Sequence, residues 1–522
     1  MCSQILNLFC GMEEELLADQ PLWHKLIKKG FRLYFFMIIT APVGYLIRVI
    51  VSNTLSIEDI GIFYSVLWFI TLVSVYHDLW LTEALQYFLP KYRLEKKYDS
   101  YKSIFILTLI AQVTIGILIA CAIYFWADWL AIHHFRSPEA SQILRNLAFY
   151  FIGINFISVF LSIYNSFQDA IAYGISEFTR MYTILWFTLV FRLTKTLTVD
   201  TFSISRISGI LVWLIVIGII FLKKYRHTLQ KGKLIFSWEL IKTQLKYAFR
   251  VFLGANIWSL LGQVDQQIVI NLLGPKAAGY YSNYFSLIGA YTLVISPLLA
   301  MVFPIVTELV TKKDKTKLHL LQNTLYKYFS ILALSIGGIF FAFWPEIASI
   351  LFGTKFYYSG QLLMYSAPFL IINVMFIINF GILAWLGKVK QRVKILGIAL
   401  LVNVVSNIVL LYYFKIWLPG AVISTILGWI LLWGLSLRLI NRNEKISYDR
   451  LFFIKNLIII ATLSIACFLF KGMFMANNNS YRWHDSMYLV VALILYYSII
   501  WIINYKSIHL LSKEIKVLKR SS

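Results

Sequence analysis

The sequence predicts an all-α polytopic membrane protein with about 14 transmembrane helices: two six-helix bundles related by a parallel repeat, plus two C-terminal helices. Three observations predict this class. Of the 522 residues, 60% are hydrophobic and only 14% are charged, whereas soluble proteins average about 25% charged residues. Apolar runs recur from Phe31 to Tyr505, each about twenty residues long and sufficient to cross a hydrocarbon core roughly 30 Å thick. The third observation is an internal repeat, described below.

Hydropathy and turn residues divide the chain into spans and connections. We expect an N-terminal segment over residues 1–30, with a basic interfacial helix at 16–30 and Met12 as an alternative start. The first bundle covers 31–222, an inter-bundle linker 223–250, the second bundle 251–438, the two extra spans 453–505 and a basic tail 506–522. The predicted spans are 31–52, 60–88, 103–127, 146–168, 176–195, 203–222, 251–273, 279–306, 325–344, 362–386, 393–414, 419–438, 453–473 and 486–505.

The distribution of positive charge predicts the orientation in the membrane. About 36 of the 48 Lys and Arg residues lie on one set of connections, which the positive-inside rule makes cytoplasmic. We therefore expect both termini inside, in a bacterial cytoplasmic (inner) membrane. The net charge of +24 is explained by a face against anionic membrane lipids, without nucleic acid. The connections on the other side are short, the longest being 128–145, which counts against polysaccharide polymerases and ligases.

An internal repeat relates the two bundles at an offset of 218 residues. Phe31–Arg32 aligns with Phe249–Arg250, and "IVSNTLSIEDIG" aligns with "IVINLLGPKAAG". Because six spans intervene, the copies have the same orientation, and rocking of two such bundles exposes a central cavity to either side in turn. The matched residues are Ile50, Val51, Asn53, Leu55 and Gly61 with Ile268, Val269, Asn271, Leu273 and Gly279.

The repeated segments resemble a known family. "LIRVIVSNTLSIEDIGIFYSVLWF" followed by "DLWLTEALQYFLPKY" resembles the opening of polysaccharide flippases, and "VDQQIVINLLGPKAAGYYSNYFSLI" resembles their second-half signature. The chain is similar to Wzx-type or teichoic-acid-type flippases of the multidrug/oligosaccharidyl-lipid/polysaccharide exporter superfamily. That resemblance implies export of an undecaprenyl-diphosphate-linked oligosaccharide for cell-surface polysaccharides such as O-antigen. It also implies glycosyltransferases and a polysaccharide polymerase as partners.

Two charges within predicted spans are candidate functional groups, since a charge at mid-bilayer costs about 2.5–3.5 kcal/mol on insertion scales. Arg48 lies near the outer end of the first span, and Asp265 lies at a similar depth in the seventh. They either pair across the bundle interface as a static ion pair, or Arg48 faces the cavity and binds phosphate. Asp265 is also a candidate group for coupling to protons or Na⁺.

Amide side chains form a stripe on the seventh span. At 100° per residue, Asn256, Gln263 and Gln267 fall within about 40° of one another, while Asp265 points away from Asn256. The stripe suits a cavity wall that hydrogen-bonds sugar hydroxyls. The alternative is that these amides join neighbouring helices.

The remaining polar groups in spans have weaker assignments. Arg180 is a further candidate for binding substrate phosphate, but Glu177 lies three residues before it and a local ion pair is equally expected. Asp78 and Glu83 are candidate coupling or structural charges. We interpret Asn403 and Asn407, four residues apart in the eleventh span, as packing contacts.

No pattern in the sequence indicates an enzyme. There is no nucleotide-binding loop, no metal-ligand cluster and no catalytic triad spacing, and Cys2, Cys10, Cys121 and Cys467 are scattered. We expect no cofactor and no metal. The alternative to a flippase is an ion-coupled multidrug or small-cation exporter of the same fold, which predicts a cavity of carboxylates and aromatics. A third possibility, a membrane scaffold, predicts a dry amide stripe.

Overall fold

A computed structural model describes residues 22–77, 81–255, 257–311, 315–443, 449–474 and 483–519. Throughout these ranges the regular secondary structure is helical, so the all-α prediction is confirmed. The N-terminal segment before Leu22, with Met12, lies outside the described residues, as do Asp78 and Asn256. The assignments made for these residues stay predictions.

The first half of the chain forms six crossings. The second crossing is described as α2 and α3, on either side of residues 78–80, and a short helix, α5, precedes the fourth crossing. The helices are α1 (Leu22–Thr54), α2 (Ile57–His77), α3 (Leu81–Leu94), α4 (Tyr98–Phe125), α5 (Ala127–His133), α6 (Ala140–Ser166), α7 (Ala170–Leu193) and α8 (Val199–Lys224). Within this first bundle α7 packs against both α1 and α8, and α6 packs against α2, α3, α4 and α8.

The second half is joined to the first by α9 (Arg226–Gln230) and α10 (Trp238–Ala255). The second bundle comprises α11 to α18, and α19 and α20 follow it; α19 packs on α13. The helices are α11 (Ile257–Leu273), α12 (Pro275–Thr311), α13 (Lys315–Ala342), α14 (Trp344–Phe352), α15 (Tyr357–Ser366), α16 (Leu370–Trp385), α17 (Val389–Ile408), α18 (Leu418–Asn443), α19 (Arg450–Phe474) and α20 (Trp483–Lys519).

The predicted spans coincide with these helices. Ten segments of the described chain are long and apolar enough to cross a membrane. The other four predicted spans coincide with α1, α7, α11 and α12. The chain therefore has the helices that about fourteen crossings require.

Helix boundaries differ from the predicted ones in three places. The basic segment predicted as a separate interfacial helix joins the first span from Leu22, so the boundary at residue 30 falls inside α1. The span predicted at 60–88 begins earlier, at Ile57 of α2, and ends later, at Leu94 of α3, while residues 78–80 between the two lie outside the described residues. The span predicted at 362–386 contains a 3₁₀ turn at Ala367–Phe369, because Pro368 lacks the N–H that a continuous α-helix needs.

Alternation of the helices gives the molecule two faces. The face that carries the Lys/Arg-rich connections, including 95–97 and 225–237, is here called the basic face. The face that carries residues 55–56, 134–139, Gly274 and 353–356 is called the opposite face. Helices α1 and α11 both run toward the opposite face, and α2 and α12 both run back from it.

The repeat is visible where the two bundles meet. Helices α2 and α12 begin at positions 218 residues apart and pack closely against each other. Gly61 and Gly279, which the offset also matches, lie at their crossing. A Cβ built on Gly61 would lie 2.7 Å from the Gly279 nitrogen, and closer still to the carbonyl oxygen of Pro275. The bundles therefore meet at a backbone contact between two equivalent glycines.

Candidate functional site

Arg48 lies in the interface between the bundles, near the opposite face. Its side chain is only 6% exposed, and its partners are on α2 and α12. The guanidinium donates from Nε to Asn283 Oδ1 (2.6 Å) and from Nη2 to Ser282 Oγ (2.6 Å). It also lies 3.4 Å from the centre of the Tyr64 ring. Among the described residues no carboxylate pairs with Arg48, so neutral dipoles and a π-face stabilise the buried cation.

The repeat gives this contact an equivalent. The 218-residue offset matches Arg48 with Gln266, and Ser65 with Asn283. Gln266, fully buried, donates from Nε2 to Ser65 Oγ (2.8 Å). The interface thus holds two symmetry-related hydrogen bonds, one from an arginine and the other from a glutamine. The asymmetry places the positive charge of Arg48 on one side of the contact between the bundles and a neutral amide, Gln266, on the other.

A second symmetric pair of contacts comes from asparagines that the repeat matched. Asn53, at the end of α1, donates to the carbonyl oxygen of Leu351 at the end of α14 (2.9 Å). Asn271, at the end of α11, donates to the carbonyl oxygens of His133 (3.2 Å) and His134 (3.3 Å) beside α5. Each asparagine therefore reaches the other bundle, and it bonds carbonyls that a helix end leaves without partners.

Two cations complete the closure at the opposite face. Arg136 donates from Nη1 to the carbonyl oxygen of Leu272 (3.0 Å), near the end of α11. The Lys355 ammonium donates to the carbonyl oxygen of Leu55, just after α1. Cations are favoured at helix C-termini, and each of these is supplied by the opposite bundle. Contacts between the bundles thus converge on the opposite face, which is closed in this conformation.

Asp265 has a separate environment inside the second bundle. The carboxylate is fully buried and accepts hydrogen bonds from Asn407 Nδ2 (2.8 Å), Thr425 Oγ1 (2.7 Å) and Tyr281 OH (3.1 Å). Its three partners stand on α17, α18 and α12, which all surround α11. Arg48 and Asp265 have different hydrogen-bond partners, so the interface does not bring them together as an ion pair.

The sequence predicts Asn403 and Asn407 of α17 to be packing contacts. In the structure both lie next to the Asp265 carboxylate. Asn403 and Asn407 are buried, and the carbonyl oxygen of each side chain has no hydrogen-bond partner among the described residues. A buried carbonyl oxygen without a partner costs about 1–3 kcal/mol. In this conformation Asn407 turns its Nδ2, not this oxygen, toward Asp265. Carboxylate, amide and hydroxyl oxygens are groups that a hard cation takes as ligands.

Arg180 and Glu177 form the local ion pair that was one of their two predicted roles. Arg180 Nη2 lies 2.6 Å from Glu177 Oε2, and the side chains are 17% and 20% exposed. The Arg180 guanidinium also lies 4.7 Å from the Trp213 ring. The pair sits inside the first bundle between α7 and α8, so a role for Arg180 in binding phosphate stays a prediction.

One residue of the predicted amide stripe, Gln267, lies in the interface between the bundles. Gln267 donates to the carbonyl oxygen of Ser65 (3.0 Å), and its Oε1 lies 2.9 Å from His134 Nε2. Gln263 is half-buried, and its Oε1 has no partner among the described residues. In this conformation Gln267 joins helices, which is the alternative that the sequence left open.

Glu83 is half-buried at the start of α3 and accepts a hydrogen bond from Thr82 Oγ1 (3.2 Å).

Several residues at the site were not found from the sequence. For Asn283 the signal was available, because the repeat matches it to Ser65 and its partner Arg48 to Gln266. For Thr425 there was none, since threonines are common in membrane helices and nothing local links this one to Asp265. The further missed residues are Tyr64, Tyr281, Ser282, Arg136 and Lys355.

Comparison with known proteins identifies the family. The family model described as polysaccharide biosynthesis protein matches residues 26–310, more than half of the chain. An uncharacterized membrane protein of Methanocaldococcus jannaschii is 27% identical over 420 residues, which cover 77% of this chain and 82% of that protein.

Solved structures share the fold at low identity. A lipid II flippase MurJ in an inward closed conformation superposes with a TM-score of 0.66 at 15% identity, covering 92% of this chain and 99% of that one. An inward-facing multidrug resistance MATE family transporter of the MOP superfamily superposes with a TM-score of 0.62 at 15% identity, covering 83% and 98%. The chain therefore belongs to the polysaccharide biosynthesis protein family and is a multi-pass membrane protein with the fold that these flippase and transporter structures share.

Proposed function

We propose that this protein is a flippase that moves a lipid-linked oligosaccharide, carried on undecaprenyl diphosphate, from the inner to the outer leaflet of a bacterial cytoplasmic membrane. The observation that carries the proposal is the buried Arg48 cation, whose hydrogen-bond and ring partners in the described part of the chain are neutral groups at the junction of the bundles. The family's role in polysaccharide biosynthesis and the lipid II flippase among the fold relatives support the same cargo. The basic face and both termini are placed in the cytoplasm by the positive-inside rule.

The chemistry of the cargo explains why Arg48 is suited to the task. A diphosphate offers charged oxygens, which bind a guanidinium more strongly than the Asn283 and Ser282 oxygens do. Each hydrogen bond to a charged group contributes about 1.5–3 kcal/mol. A phosphate bound bidentately on the Nε/Nη2 edge of Arg48 would take the N–H groups that now donate to Asn283 and Ser282. Binding of the cargo therefore loosens one of the two symmetric contacts that close the opposite face.

The proposed cycle follows from that competition. With the opposite face closed, the central cavity that the repeat predicts between the bundles would admit the sugar and diphosphate from the basic face, while the polyprenyl tail stays in the lipid. Transfer of Arg48 from Asn283 to phosphate lets the bundles rock apart at the opposite face. The membrane potential assists, since moving an anion out of a negative interior is favourable by about 2.3 kcal/mol per charge per 100 mV.

Arg48→Gln tests the assignment. Native mass spectrometry of the protein in mild detergent should find a polyprenyl-diphosphate oligosaccharide on the wild type, and at least tenfold less on Arg48→Gln, the equivalent of about 1.4 kcal/mol. Arg192→Gln is the matched control, because Arg192 bonds Ile50 and Thr54 within the first bundle. Equal glycolipid on both variants would assign Arg48 to structure; absence of glycolipid from the wild type would remove the proposed cargo.

A cation gradient, coupled to transport through a cation bound at Asp265, is the proposed energy source beyond the membrane potential. The carboxylate and the two unpartnered amide oxygens of Asn403 and Asn407 are oxygen ligands of the kind that Na⁺ takes. Rotation of the amides, which now donate to or face Asp265, would turn those oxygens toward the ion. Glycolipid transfer in proteoliposomes should rise with a Na⁺ gradient and lose that dependence in Asp265→Asn. Dependence on a pH gradient alone would make the coupling ion a proton.

The same site supports the alternative function, an ion-coupled multidrug or small-cation exporter. Asp265 and the aromatic rings of Tyr281 and Tyr284 next to it are the groups that this function predicts. Ethidium efflux from proteoliposomes discriminates the two. Efflux that requires Asp265 but tolerates Arg48→Gln, with no glycolipid transfer, supports the exporter.

A further inference from the structure

The segment that connects the bundles carries apolar side chains on its surface. Between α9 and α10 the backbone of residues 233–237 has no regular secondary structure. Phe236 and Trp238 are 76% and 72% exposed, and Leu234 and Ile235 are also exposed. Leu245, on the exposed side of α10, extends this apolar surface. We call residues 231–246 the connecting strap.

Lysines surround these apolar side chains. Lys231 and Lys233 precede the apolar run, and Lys242 and Lys246 follow it on α10; all four are exposed. On α10 the spacing of Trp238, Lys242 and Lys246 places them in one stripe, because residues four apart share a helix face. An exposed stripe of tryptophan and lysine is the composition of helices that lie in a membrane interface.

Contacts with α4 fix the depth of the strap. The Lys233 N–H donates to Asp99 Oδ1 (2.6 Å), and the Ile235 N–H donates to Ser103 Oγ (2.8 Å). Lys102 Nζ donates to the carbonyl oxygen of Gly232 (3.0 Å). Asp99 and Ser103 lie in the first two turns of α4, at the basic face. Irregular backbone facing lipid is not tolerated in the hydrocarbon core, so this depth corresponds to the headgroup region.

Gly232 makes the close approach possible. A Cβ at this position would lie 2.9 Å from the Asp99 nitrogen, nearer than side-chain carbons pack. The chain therefore turns tightly against α4 and presents the following residues outward. On the other side of the strap, Gln244 donates to Thr108 (2.6 Å) and the Tyr247 ring stacks on Tyr87 (4.6 Å between centroids).

We infer that the connecting strap is a membrane-surface anchor that binds anionic phospholipids. Its apolar side chains insert between headgroups, and its four lysines bind the headgroup phosphates. The strap is positively charged and so complements an anionic membrane surface, since within 231–246 four lysines face a single acidic residue, Glu239. The anchor holds the only chain segment that joins the two bundles, and it does not depend on which cargo the cavity carries.

The test uses the full chain in lipid nanodiscs. Phe236→Cys, in a background with all four native cysteines replaced by alanine, carries an NBD fluorophore. Emission should shift to the blue when phosphatidylglycerol is mixed into phosphatidylcholine. Lys233→Gln/Lys242→Gln/Lys246→Gln should abolish that shift. The same triple variant should retain at least tenfold less phosphatidylglycerol in native mass spectrometry, since each lysine near an anionic surface contributes about fivefold.

The matched control removes the same charge elsewhere on the basic face. Lys91→Gln/Lys390→Gln/Lys394→Gln changes three exposed lysines outside the strap, and it should leave the emission unchanged and reduce lipid retention less than the strap variant does. The inference is overturned by identical emission in the two lipid mixtures, or by equal loss in the two triple variants. The first result places the strap away from the lipid, and the second assigns lipid retention to the general charge of the face.

Discussion

Substitution of the interface glycines gives the sharpest test of how the bundles move. A Cβ on Gly61 would meet the Gly279 nitrogen at 2.7 Å, and a Cβ on Gly279 would meet Ile57 Cγ2 at 2.8 Å. Since carbon atoms pack at about 3.5–4.0 Å, alanine at either position requires α2 and α12 to separate by on the order of 1 Å. Overpacking of this kind costs about 1–3 kcal/mol.

That cost falls only on the conformation in which the opposite face is closed. If the bundles rock, Gly61→Ala shifts the equilibrium toward the open conformation by roughly 5–150-fold. Spin labels at Asp200 and Lys276, both exposed at the opposite face, should report a larger share of long distances by pulsed electron paramagnetic resonance. Gly218→Ala is the control, because a Cβ at Gly218 has no atom within 4 Å.

A different outcome would refute this reasoning. If α2 and α12 are permanently packed, Gly61→Ala lowers the thermal unfolding midpoint and leaves the distance distribution as in Gly218→Ala. The double variant Gly61→Ala/Gly279→Ala separates the cases further. The two positions touch, so their effects are expected to be non-additive, and once the helices are apart the second alanine adds little to the shift.

Three further predictions follow from other described contacts. Asp265→Asn, which keeps the shape but removes the charge, should preserve the unfolding midpoint and abolish Na⁺-dependent transport in proteoliposomes. Glu346→Gln leaves Lys471 without its buried carboxylate partner (3.2 Å). The free energy of unfolding in detergent should therefore fall by about 3–5 kcal/mol. Glu346→Gln/Lys471→Met should recover most of that loss. Asp449 accepts a hydrogen bond from the Phe452 N–H and pairs with Lys327, and both interactions lower the pKa of its carboxyl. The resulting stabilisation is fully present above the pKa that this carboxyl has in the unfolded chain. It is lost as the pH falls through the lower pKa of the folded protein. Acid titration of the unfolding midpoint should therefore show a small step near or below pH 4 that is missing in Asp449→Asn.

The repeat explains why one buried charge stands out. Arg48 and Gln266 occupy equivalent positions, and each donates across the interface to the equivalent residue of the other bundle. A glutamine makes the same kind of bond without a charge to desolvate. Packing alone would therefore be served by an amide on both sides. The arginine adds a cation that an incoming anion can withdraw from the contact.

Sequence reasoning located the charges at the site but not their partners. Arg48 and Asp265 were found because ionisable groups are costly inside an apolar helix, which is a local property. The pairing of Glu177 with Arg180 was also foreseeable, since three residues place both on one helix face. By contrast, Asn283 is 235 residues from Arg48, and Asn407 is 142 residues from Asp265.

The sequence by itself determined the all-α membrane class, the number of spans and the repeat. Those features depend on the length of apolar runs and on residues at a fixed offset, both of which can be read along the chain. Only the tertiary structure decided that Gly61 meets Gly279, that Arg48 bonds α12 and that Asn403 and Asn407 surround Asp265. In an apolar sequence many helix faces are equally able to pack, so the partner of each polar group is set by which helices the fold brings into contact.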